Sequence, residues 1–107
     1  MSLEKRTVIS QIEVTEPGHL QIRFCKQIVE DGKVLMSEYH RTSVECGGDV
    51  VAQMTAVNTH LIQMNCEPVS ASDIDRITAI ANTDWTPART NAWTQMKAAS
   101  LAALRNP

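Results

Sequence analysis

The stretch His19-Leu20-Gln21-Ile22-Arg23-Phe24-Cys25-Lys26-Gln27-Ile28-Val29-Glu30-Asp31-Gly32-Lys33-Val34-Leu35 holds two β-type runs separated by an Asp-Gly step. A type I′ turn needs positive φ at both central residues, which Asp tolerates and Gly adopts freely, so Asp31-Gly32 predicts a tight antiparallel hairpin. Leu20, Ile22, Phe24 and Ile28 fall on one face of the first run, and Gln21, Arg23 and Gln27 fall on the other. The apolar face is expected to meet the core. The returning run, Val34 to Val44, mixes Leu35 and Tyr39 with Ser37 and Arg41, a pattern that suits an edge or partner-facing strand.

Upstream, Thr7 to Val14 reads as a further strand, with Val8, Ile12 and Val14 sharing a parity, and Glu16-Pro17-Gly18-His19 stops it. A β-meander over residues 6–45 results. Downstream, Cys46-Gly47-Gly48-Asp49 breaks the pattern, with Asp49 or Gly48 as the cap of a helix. Val50, Met54, Val57, Leu61 and Met64 then recur at alternating spacings of four and three, which gives a helical core face over 49–66 that ends at Glu67-Pro68. Ser70-Ala71-Ser72-Asp73 resembles a capping box and opens a second helix over 71–82, carrying Ile74, Ile77, Ile80 and Ala81. Thr86-Pro87 is a cap followed by proline at the first helical position, and the helix from 87 to 105 is expected to bury Ala92, Trp93, Met96, Leu101 and Leu104. The sequence therefore predicts an α+β single domain over 1–107: an N-terminal three-stranded antiparallel β-meander followed by two or three helices.

Composition bounds the function. At 43% hydrophobic and 21% charged the chain has the balance of a folded domain, and with 4% aromatics its core must be mainly aliphatic. Ten Lys and Arg stand against twelve Asp and Glu with no basic block, so nucleic acid is not expected as a partner. Met1-Ser2-Leu3-Glu4-Lys5-Arg6 lacks the basic-then-apolar order of a signal peptide, and no apolar run of about 18 residues predicts a membrane span. Three cysteines, an odd number, suit a reducing compartment at synthesis.

Candidate chemistry is thin. His40 and Cys46 share their spacing with His60 and Cys66, and these are zinc-ligand types. Neither pair has the short Cys-x-x-Cys spacing of structural sites, and a six-residue step places His60 and Cys66 on poorly matched helix faces, so the expected reading is surface histidines and ordinary thiols. A Cys-His nucleophile has no local signature, and Cys46-Gly47-Gly48 reads as a turn. Asp73 with Asp75 sits at a helix start, and Glu30 with Asp31 in a turn, where helix dipole and turn chemistry account for them. Trp85 and Trp93 read as packing residues. No catalytic residue, cofactor or metal is expected.

The segments Thr7-Val8-Ile9-Ser10-Gln11-Ile12-Glu13-Val14, Gly18-His19-Leu20-Gln21-Ile22-Arg23, Val29-Glu30-Asp31-Gly32-Lys33-Val34 and Ser37-Glu38-Tyr39-His40-Arg41 resemble a family of small proteins of tailed bacteriophages and prophages. Gly48-Asp49 is similar to that family's Gly-Asp turn, and Trp85-Thr86-Pro87 to the element that introduces its Ala-rich closing helix. The likeness covers roughly the first fifty residues and the last twenty-five, while the helix from Val50 and the Pro68 linker depart from it. It implies a non-enzymatic structural or assembly part of the virion, in the tail, baseplate or fibre-attachment region. It also implies partners among other phage structural proteins and a homo-oligomeric or symmetric multi-copy state. A non-virion binding module, such as a tail-assembly chaperone or an inhibitor of host proteins, is the alternative. The expected interaction surface is Leu35, Ser37, Tyr39 and Arg41 on the third strand, with Trp93 and Leu101 on the last helix.

Overall fold

A computed structural model describes residues 3–105. Strands β1 (Leu3–Val14), β2 (Leu20–Glu30) and β3 (Lys33–Val44) form one antiparallel sheet in the order β1-β2-β3, followed by helices α1 (Val50–Gln63), α2 (Ala71–Asp84) and α3 (Pro87–Arg105). This is the α+β meander that the sequence predicts. Asp31 and Gly32 have φ of 51° and 81°, the left-handed pair that a two-residue hairpin of this hand requires.

The core lies on one face of the sheet. Leu20, Ile22 and Phe24 of β2 and Val44 of β3 pack with Val50, Met54, Val57 and Leu61 of α1, Ile77 and Ala81 of α2, and Val69 between the two helices. Met54, Leu61, Leu20, Phe24 and Ile77 are fully buried. Ile28, expected in this set, is only half-buried, because it lies toward the hairpin tip.

Two β-bulges change what alternation alone predicts. In β1 the register shifts between Ile9 and Gln11, so the pairing steps over Ser10 and the parity flips there. Ile9 and Ile12 both pack on the core, while Val8 falls opposite Cys25 on the other face; the grouping of Val8, Ile12 and Val14 on one face is thereby corrected. In β3 the pairs Ile28–Met36 and Val29–Val34 leave Leu35 unpaired.

The caps follow the sequence closely. The Asp49 carboxylate accepts from the Ala52 N–H at 3.0 Å, and the Ser70 hydroxyl accepts from the Asp73 N–H at 3.2 Å. α1 stops at Gln63, three residues short of the expected end, because Asn65 takes a left-handed φ of 61°. The Cys66 N–H then bonds to the Leu61 carbonyl and the Asn65 N–H to that of Ile62, the two bonds of a Schellman cap. Met64, placed on the core stripe by its spacing, falls at this cap and is exposed. α2 continues two residues past its expected end, to Asp84.

The largest departure is α3. Ala92, Met96 and Leu101 were expected in the core and are exposed, Trp93 is half-buried, and the Leu104 side chain lies outside the described residues. The physical reason is space: α1 and α2 already cover the apolar face of a three-stranded sheet, which leaves no seat for a third helix. The shape reflects it. The Cα radius of gyration is 17.2 Å over extents of 63 × 30 × 20 Å, against about 13 Å for a compact chain of this length.

Urea denaturation provides the check. Met54→Ala or Leu61→Ala is expected to cost roughly 3 kcal/mol. Leu101→Ala is expected to stay within about 0.5 kcal/mol of the parent; a loss as large as that of the α1 variants would place α3 in the core.

Candidate functional site

α3 is held to the body at its first turns. The Thr86 hydroxyl accepts from the Arg89 N–H at 3.3 Å, capping the helix. Arg89 reaches back to the Asp84 carboxylate at 3.1 Å and to the Thr15 carbonyl at 3.4 Å, while the Trp85 indole N–H donates to the Gly18 carbonyl at 2.6 Å. One turn on, the Trp93 N–H donates to Glu45 at 2.8 Å, and its ring meets the His19 ring edge-on with centroids 4.4 Å apart. Lys97 closes on the same Glu45 carboxylate at 3.2 Å. Sequence reasoning missed His19, Glu45, Arg89 and Lys97; the four-residue steps Arg89, Trp93, Lys97 mark one helix face and were the available signal.

Past Trp93 the helix carries Met96 and Leu101 in the open, 51% and 54% exposed, among alanines. Trp93 and Leu101, expected to share a surface, therefore differ in state: one is tied into the root and the other is free.

β3 is an edge strand. Ser37, Tyr39 and Arg41 pair with Gln27, Cys25 and Arg23 on the face away from the helices, and all three are exposed. The Tyr39 ring lies 4.4 Å beneath the Arg23 guanidinium, a cation–π contact that leaves 57% of Tyr39 in solvent. At the hairpin end Leu35 and Met36 are about half exposed, joined by Val34 and by Leu3 of β1. A cleft of about 260 Å³ opens beside Met36, floored by Ile28, Thr7, Met64 and Cys66. β3 runs about 30 Å from the α3 root to Leu35, so the expected surface divides into a hairpin tip and a helix at opposite ends.

The four residues of the zinc pattern do not converge. Cys46 is buried at the α3 root, where its backbone N–H donates to His19 Nδ1 at 3.0 Å, and Cys66 is half-buried beside the α1 cap. His40 and His60 do meet, with ring centroids 5.4 Å apart and planes tilted by 35°. Burial, then the neighbouring His60 and Lys26, hold the His40 pKa below its ordinary value. The Cys46 thiol pKa is pushed up, chiefly by burial, which disfavours the thiolate. Among the described residues no group of three or more His, Cys, Asp or Glu is placed to hold a metal, and no helix is long and apolar enough to cross a membrane.

Compared with known proteins, the chain matches no family model, no curated protein and no solved structure.

Glu45 gives the root a pH dependence. The hydrogen bond from Trp93, then that from Lys97, holds its carboxyl below the ordinary value. A depressed carboxyl stabilises the fold above its unfolded-state pKa and loses that contribution as the pH falls through the lowered one. Tryptophan emission is expected to change over that acid range, and Glu45→Gln is expected to remove the step; an unchanged step in the variant would contradict the assignment.

Proposed function

We propose that the chain is a non-enzymatic structural or assembly component of a tailed phage particle, present in several symmetric copies in the tail, baseplate or fibre-attachment region. The observation that carries the reading is the placement of apolar surface. Val34, Leu35 and Met36 are exposed at the hairpin end of β3, and Met96 and Leu101 are exposed on α3, which is rooted at the opposite end of that strand. An exposed β-edge can pair with a neighbouring strand and an unpacked helix can dock on a neighbouring surface, so both features support joining to another subunit. The likeness of the hairpin and of Trp85-Thr86-Pro87 to small phage proteins supplies the setting. Partners are then other structural proteins of the particle and further copies of this chain.

Mass spectrometry of purified virions from a phage encoding the chain is expected to find it in fixed stoichiometry. Leu35→Glu and Leu101→Glu are expected to reduce incorporation at least tenfold while leaving the melting temperature of the isolated protein within about 2 °C, as surface substitutions do. Purified particles without the protein would overturn the reading and favour a binding module that acts only during infection.

A further inference from the structure

The seam between α1 and β3 is polar. The Gln53 amide donates to the Thr42 hydroxyl at 2.9 Å, and further along the same seam His60 of α1 faces His40 of β3. We infer that His40 and His60 together seat a divalent ion of the zinc, copper or nickel class, held by one ring nitrogen of each and completed by water.

The geometry fits. A metal about 2.0–2.1 Å from an imidazole nitrogen lies about 3.2 Å from the ring centroid, and a near-tetrahedral angle between two such rings sets their centroids about 5.2 Å apart. The observed separation is 5.4 Å. Imidazole binds a metal only when neutral, which sets the test near neutral pH. Lys26 of β2 faces His40, and Glu38, two residues away on the same strand, holds the Lys26 ammonium at 3.5 Å and offsets its charge. No third protein donor converges there among the described residues, which leaves the other coordination positions to solvent. The two ligands come from different elements, so the ion would pin the end of α1 to the edge strand.

The three histidines make the test specific. In a Cys66→Ser background, which removes the partly exposed thiol, Cu²⁺ or Ni²⁺ is added to the intact protein near neutral pH while the ring protons are followed by NMR. The signals of His40 and His60 are expected to broaden together. His19, whose Nδ1 is occupied by the Cys46 N–H and whose ring packs on Trp93, is expected to stay sharp. Zn²⁺ at about fivefold above its Kd is expected to raise the melting temperature by roughly 4 °C or more. His60→Gln, at an exposed position, is expected to fold normally and lose both effects. Unchanged His40 and His60 signals, equal broadening of His19, or a thermal shift that survives His60→Gln would overturn the inference.

Discussion

Everything in this molecule depends on one packing event: Leu20, Ile22 and Phe24 of the central strand buried beneath Met54 and Leu61 of α1 and Ile77 of α2. Three strands offer one apolar face wide enough for two helices. Once α1 and α2 occupy it, the hydrophobic driving force for the fold is used up within that layer, and the remainder of the chain must either find another surface or stand in solvent. The opposite face is kept wettable by Gln21, Arg23, Gln27 and Arg41, with Cys25 and Val29 screened between their neighbours on the flanking strands.

α3 is the consequence. Its root is built from directional contacts rather than area: two indole N–H groups, each with an oxygen acceptor, the Arg89–Asp84 ion pair, and Lys97 on Glu45. Partly exposed pairs of this kind contribute modestly one by one, so they fix where the helix starts more than how firmly its far end holds. Past Lys97 the helix has alanine propensity and little else, and an isolated helix of that length is marginal in water. A partner that covered Met96 and Leu101 would both bury apolar area and order the helix, which is how binding and structure become linked.

Local chemistry made most of the fold legible in the sequence. The Asp31-Gly32 turn, the Asp49 and Ser70 caps and the Val50-Met54-Val57-Leu61 stripe each dictate their own backbone, and all stand where residue identity places them. The misses have separate causes. The bulge at Ser10 has no marker in side-chain type, so the faces of Ile9 and Val8 could not be assigned by alternation. Asn65, not Pro68, ended α1, because an asparagine can adopt the left-handed cap that glycine usually supplies. The apolar residues of α3, Trp93, Met96 and Leu101, do not by themselves say whether a neighbour exists to cover them. The edge position of β3 was readable from its mixed alternation; the meeting of His40 with His60, twenty residues apart, emerges only when α1 lies across β3.

The most direct test of a body completed by two helices, with a third rooted but unpartnered, is native-state hydrogen exchange on the dilute monomer. Amides of β2 and α1 should exchange only through global unfolding, those of α3 should be protected up to about Trp93, and those from Met96 to Ala103 should exchange near the rate of an unfolded chain. Protection across Met96 to Ala103 equal to that of α1 in the monomer would contradict the account, because it would require a packing surface for α3 within the chain itself.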